Sequence, residues 1–197
     1  MHQYSWTFYK LDIFLYMPEL PEILLIFGLL ILAGMVILPI FFGAPWHPLM
    51  PYTIRRILNF AEIRPGETIC DLGCGEGRVL ITAAKEYSAK AVGVEIDPIK
   101  VGLARLLAKF KKVDGQVSII RGNIFDFDPS DVDVVYLYLT HQALDKLFPE
   151  ILKKLKPTVR IVSYRFYIRG MTPEKISADK TLFLYQLTKG TEINNYT

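Results

Sequence analysis

The stretch Asp71-Leu72-Gly73-Cys74-Gly75-Glu76-Gly77-Arg78 decides how this chain is read. An apolar run, Thr68 to Leu72, precedes it and a helical pattern, Val79 to Tyr87, follows it. Three glycines in five positions therefore form a sharp strand-to-helix turn that lets backbone approach a ligand closely. The spacing is G-x-G-x-G, and Arg78 stands where a dinucleotide fingerprint would place its third glycine. The acid also matters. Asp71, directly before the turn, repels a pyrophosphate but attracts an ammonium or sulfonium group. A second acid, Glu95, ends the next apolar run in Val92-Gly93-Val94-Glu95-Ile96-Asp97-Pro98, 24 residues further on (71 to 95). A carboxylate at that place can accept both hydroxyls of a ribose.

Outward from the turn, strand and helix alternate. Pro45, Pro48 and Pro51 break the chain, and Pro51 opens a helix with Ile54, Ile57, Leu58 and Ala61 at helical spacing. Arg64-Pro65-Gly66-Glu67 is a turn. Strands are predicted at 68–72, 91–94, 117–120, 132–139, 159–166 and 181–187. Helices are predicted at 79–87, from Pro98 with Leu103, Leu106, Leu107 and Phe110 on one face, and at 142–155 before Lys156-Pro157. Almost wholly apolar strands such as Val132 to Leu139 indicate a parallel sheet covered on both faces. The expected fold is α/β, an open doubly wound sheet with its ligand beyond the carboxyl ends of the strands.

The turn with Asp71 and Glu95 resembles motif I and the second-strand acid of class I S-adenosylmethionine-dependent methyltransferases, which have a Rossmann-like fold. The resemblance implies S-adenosyl-L-methionine as cofactor. It implies that Asp71, Gly73, Gly75, Gly77, Glu95 and Ile96 bind it, with Asn123 and Ile124 at the third strand end. Asn123 stands where the class often has an Asp for the adenine amino group. From Pro45 to about Leu187 the chain also resembles the archaeal protein-lysine methyltransferases and their membrane-anchored relatives that methylate the ATP synthase c subunit. The shared segments are Pro45-Trp46-His47-Pro48, Asp71 to Arg78, Val92 to Asp97, Val134 to Leu139, Leu155-Lys156-Pro157, Ile161 to Phe166 and Thr181 to Tyr185. The chain departs from that family at Leu49 (Thr), Tyr164-Arg165 (a His-acid pair) and Met171 (Trp). The resemblance implies a protein substrate with an accessible lysine, and a Trp46 that closes over the cofactor or acceptor. Tyr136 and Tyr138 lie two apart on one strand face. At the strand's carboxyl end Tyr138 is a candidate to border the methyl group, and His141, in the next loop, to receive a proton. Rival readings keep the enzyme class but change the acceptor to a lipid, quinone or other amphiphile, or keep only non-catalytic binding of the cofactor or a partner.

The N-terminal part reads differently. Residues Ile23 to Ala44, ILLIFGLLILAGMVILPIFFGA, carry no charge. As a helix they would reach about 33 Å, against a hydrocarbon core of about 30 Å. The expectation is a single-pass transmembrane anchor over 23–44, with Pro39 kinking its end. An interfacial segment rich in aromatics (1–22) precedes it, the methyltransferase domain spans 45–188, and a polar tail spans 189–197. Lys10 before the span and Arg55, Arg56 and Arg64 after it put the domain in the cytoplasm. The lipid bilayer is then a partner, and the protein substrate can be membrane-embedded.

Composition narrows the rest. Of 197 residues 51% are hydrophobic and 22% charged, which excludes a disordered or low-complexity protein. The net charge of +3 is too small to argue for nucleic acid, and none is expected as a partner. Cys70 and Cys74 are the two cysteines, which excludes a disulfide scaffold. With no His beside them they predict no metal site and read as small buried fillers.

Overall fold

The computed structural model describes residues 20–41, of which 35–41 as backbone alone, and 49–188. Two units divide the chain, Met1–Trp46 and His47–Thr197. In the first, helix α1 runs over Leu20–Phe41. The membrane span predicted over Ile23 to Ala44 is not found: among the described residues no helix is long and apolar enough to cross a membrane. The single-pass localisation with a cytoplasm-facing domain falls with it. The aromatic segment 1–19, Trp46 and the tail 189–197 lie outside the described residues.

The second unit begins with α2 (Pro51–Phe60) and continues β1 (Thr68–Leu72), α3 (Arg78–Tyr87), β2 (Lys90–Glu95), α4 (Pro98–Phe110), β3 (Val117–Arg121), β4 (Val134–Leu137), α5 (His141–Leu152), β5 (Arg160–Tyr164), β6 (Lys175–Ile176) and β7 (Leu182–Gln186). The sheet order is β3-β2-β1-β4-β5-β7-β6. Strands β1 to β5 are parallel, and β7 runs antiparallel to both β5 and β6. The sheet is thus mixed rather than purely parallel. The two-residue β6 was not foreseen, because so short a strand has no alternation to read. Strand β1 pairs with β2 on one side and β4 on the other. The chain order reverses there, which opens a crevice at the carboxyl ends of β1 and β4.

One face of the sheet is packed by α2, α3 and α4 through Ile57, Leu58, Leu80, Ala83 and Ala104, with Tyr136, Val162 and Tyr164 beneath them. The other is packed by α5 through Leu144, Leu147, Phe148 and Ile151 against Val135, Leu137 and Tyr185. The apolar residues predicted for α2 are all buried. Helix α4 differs from expectation. Its core face is Val101, Ala104 and Ala108; these small residues let it sit close to β2 and β3. Leu103, Leu106 and Phe110 are exposed instead. Below the sheet, the nearly buried Arg160 donates to the carbonyls of Ala61 (3.1 Å) and Glu62 (2.6 Å) and to Glu67 Oε2 (2.5 Å). It ties the end of α2 and the following turn to β5, and so fixes the crevice walls from the far end.

Candidate active site

The glycine turn adopts backbone that side chains disfavour. The φ angles of Gly73, Gly75 and Gly77 are 92°, 56° and 75°, all left-handed. At Gly77 a second constraint applies: an added Cβ would lie 3.3 Å from Ala104 Cβ, so glycine lets α4 approach the turn. Gly73 lies against Leu139, whose Cδ2 would be 3.7 Å from such a Cβ. The turn is clamped onto β2. Gly73 N and Cys74 N donate to the carbonyl of Val94 at 2.9 and 3.1 Å. Glu95 closes the clamp. Its Oε2 accepts from Gly75 N at 2.9 Å and its Oε1 from Asp97 N at 3.0 Å. These bonds hold the carboxylate at the strand end and leave its remaining lone pairs for a further donor. Arg78 pairs with Glu76 at the start of α3, which explains an arginine in place of a third glycine.

Sequence reasoning missed Gly93. A Cβ there would fall 2.4 Å from Leu80 Cδ1 and 2.6 Å from Cys74 Sγ. A glycine inside an apolar strand was the available signal. It lets Cys74 and Leu80 seat the turn directly on β2. Burial pushes both the Cys70 and Cys74 thiols up, so neither supplies a thiolate. Among the described residues no group of three metal-ligating side chains occurs.

Asp71, next to last in β1, is in register with Gly93 of β2 and Tyr136 of β4. It is 4% exposed. Burial, reinforced by the charge of Glu95, raises its pKa to about 8. Tyr136 is also buried, and its hydroxyl has no hydrogen-bond partner. Burial and then Asp71 hold the Tyr136 hydroxyl well above its ordinary pKa. A buried carboxyl beside an unpartnered hydroxyl calls for a ligand that brings positive charge and donors. Sequence reasoning named Tyr136 only as a strand neighbour of Tyr138, because nothing in a strand pattern reveals an orphaned hydroxyl.

The same face continues outward through two more tyrosines. The rings of Tyr138 and Tyr164 are 5.0 Å apart and tilted by 59°. Arg165, with a left-handed φ of 68°, holds its guanidinium 5.5 Å from the Tyr164 ring centre. His141 belongs to the opposite layer. It opens α5 behind the N-cap Thr140, and its ring meets Phe166 (5.1 Å) and Tyr167 (5.0 Å) edge-on. Its Nδ1 is buried without a hydrogen-bond partner. Tyr138 and His141 thus flank the end of β4 from different layers of the fold. Asn123 is exposed and its side-chain Oδ1 accepts from Phe125 N at 3.2 Å, shaping the turn after β3. Ile96 is 68% exposed beside Glu95, and Ile124 is half-buried against the α5-side core.

Comparison with known proteins agrees with this geometry. The model of the ANTKMT methyltransferase domain matches residues 71–175. A protein-lysine N-methyltransferase of Saccharolobus islandicus (strain REY15A) is 37% identical over 148 residues, which cover 72% of this chain and 92% of that protein. An adenine nucleotide translocase lysine N-methyltransferase of Mus musculus is 28% identical over 156 residues, covering 79% of this chain and 68% of the relative. Among solved structures, an RNA methyltransferase from Salinibacter ruber in complex with S-adenosyl-L-homocysteine superimposes with a TM-score of 0.72 at 30% identity. That match covers 76% of this chain and all of the other.

Proposed function

Since this chain belongs to the family of the ANTKMT methyltransferase domain, and is thereby an S-adenosylmethionine-dependent methyltransferase, we propose that its acceptor is a lysine side chain of a protein. The cofactor supplies an activated methyl group on a cationic sulfur. The observation that carries its fit to this chain is the buried Asp71 carboxyl beside the unpartnered Tyr136 hydroxyl. Asp71 and Tyr136 would hold the cationic end, Glu95 the ribose hydroxyls, and the 73–77 turn the backbone-lined middle. Ile96, Asn123 and Ile124 would border the base. The lysine acceptor rests on the likeness to the archaeal enzyme.

The remaining chemistry falls to the acceptor side. A free lysine amine has a pKa near 10.4, so the amine must shed a proton before it attacks. The paired Tyr138 and Tyr164 rings offer an apolar wall for the aliphatic stem and exclude water from it. Desolvation and the nearby Arg165 cation both favour the neutral amine. Tyr138 borders the reacting centre. His141, whose Nδ1 has no hydrogen-bond partner, is the group open to a proton at the end of β4.

The test is methyl transfer from isotopically labelled S-adenosylmethionine to a cell extract separated into protein, RNA and organic-soluble fractions. Label in protein, mapped to methyllysine by peptide mass spectrometry, is the expected result. Label confined to RNA or to the organic fraction would overturn the acceptor assignment. Tyr138→Phe should leave cofactor affinity unchanged and lower turnover.

A further inference from the structure

The turn after β5 holds an arginine under constraint. Arg165 is exposed, yet its backbone is left-handed, with a φ of 68°, a conformation that residues other than glycine adopt at a cost. Its N–H fixes it there by donating to the carbonyl of Thr181 at 2.7 Å. The Ser163 hydroxyl closes the same turn on the carbonyl of Phe166 at 2.5 Å. The guanidinium lies over the Tyr164 ring, 5.5 Å from its centre, and that ring packs on Tyr138. A long cationic side chain is thereby set beside the tyrosine pair that walls the acceptor side. Its charge is also uncompensated. Arg55, Arg56, Arg78, Arg160 and Arg169 are each matched by a carboxylate. Among the described residues none pairs with Arg165. Asp179, two residues from the Thr181 that anchors Arg165, is already held by Arg56 and by the hydroxyls of Ser177 and Thr181.

We propose that Arg165 selects the acceptor by pairing with a carboxylate, an Asp or Glu side chain close in sequence to the methylated lysine. This rests on the reading of the acceptor as a protein lysine. A lysine reaches the site as an ammonium. The cation that favours the neutral amine within the site repels that ammonium on its way in, as the cationic sulfur does. An acid beside the lysine offsets the repulsion and gives the segment an attraction of its own at the rim. The planar guanidinium takes a carboxylate through two parallel hydrogen bonds, and lying over a ring leaves its N–H edge free to do so. The cofactor's own carboxylate is the competing occupant. The cationic end of the cofactor is assigned to Asp71 on β1, however, and β4 lies between β1 and β5. Arg165 therefore follows a strand about 10 Å away, on the acceptor side.

The test is a peptide library with lysine at the centre and randomised residues on both sides. The full-length protein methylates it with labelled S-adenosylmethionine, and the products are sequenced by mass spectrometry. Asp and Glu should be enriched about tenfold over Lys and Arg beside methyllysine, and the enrichment should shrink as salt rises. Arg165→Glu should reverse it, Arg165→Gln should abolish it, and Arg165→Lys, which keeps the charge, should keep it. Cofactor affinity by calorimetry should persist in all three variants, which reports an intact fold. Methyllysine without acidic flanks, or an acidic enrichment that survives Arg165→Glu, would overturn this proposal and leave the lysine reading standing. Cofactor affinity lost in Arg165→Gln but kept in Arg165→Lys would assign Arg165 to the cofactor carboxylate and overturn it as well. A library with no methyllysine at all would overturn the lysine reading, and this inference with it.

Discussion

The raised pKa of Asp71 moves the pH dependence of cofactor binding out of the acid range, where a surface carboxylate would show it, to pH 7 to 9. With a pKa of about 8 in the unliganded protein, Asp71 is about nine-tenths protonated at pH 7 and about one-tenth at pH 9. A cationic ligand binds the ionised form. Affinity for S-adenosylmethionine should therefore rise about tenfold between pH 7 and pH 9, about 1.4 kcal/mol. Binding at pH 7 should release close to one proton. The assay is titration calorimetry across pH 6 to 9, at each pH in two buffers of different ionisation enthalpy. The ligand's own α-amino group titrates near pH 8, so the informative quantity is the difference between the native protein and Asp71→Asn. The same group sets stability. An acid whose folded pKa lies above its ordinary 3.8 retains a proton that the unfolded chain releases. Unliganded stability should thus fall as pH rises from about 4 to 8, by up to about 1.4 kcal/mol per unit. Asp71→Asn should lack this slope. Native and variant affinities that track in parallel, with no excess proton release, would refute the placement of Asp71 as the buried partner of the cation.

Tyr136→Phe removes a hydroxyl without a partner in the unliganded fold, so urea denaturation should show a change within about 1 kcal/mol. Cofactor affinity or turnover should nevertheless drop about tenfold, and unaltered kinetics would remove Tyr136 from the site. Gly93→Ala drives a methyl against Leu80 and Cys74, and should destabilise the fold by about 1–3 kcal/mol in the same assay. Arg160→Ala strands Glu67 and two carbonyls beside α2. It should cost about 3 kcal/mol and lower the thermal midpoint, with Arg160→Met recovering only the packing.

Much of the site could be read before the fold, because its main elements are local. The spacing from Asp71 through Gly77 dictates a left-handed turn wherever it occurs, and Glu95 is one strand and one helix away. Elements with strong periodicity, such as α2 and β1, began where their proline and apolar residues indicated. Where length or exposure decides, the sequence misled. The apolar run from Ile23 is continuous in sequence, yet no helix among the described residues is long and apolar enough to cross a membrane. In α4 the larger leucines suggested the buried face, but helix-to-sheet distance selected the alanines.

The alternation of apolar strands and helices by itself determined the fold class, and Asp71, the glycines and Glu95 at fixed offsets pointed to a cationic nucleoside ligand, since each follows from backbone periodicity or charge along the chain. Tertiary structure alone decided the rest. Only when β4 lies beside β1 are Asp71 and Tyr136 buried in register, where burial and the charge of Glu95 raise the carboxyl and the hydroxyl is left without a partner. Only the packing of opposite sheet faces puts Tyr138 with Tyr164 and sends His141 to Phe166. Burial and cross-strand register depend on residues tens of positions apart, and local sequence carries no measure of either.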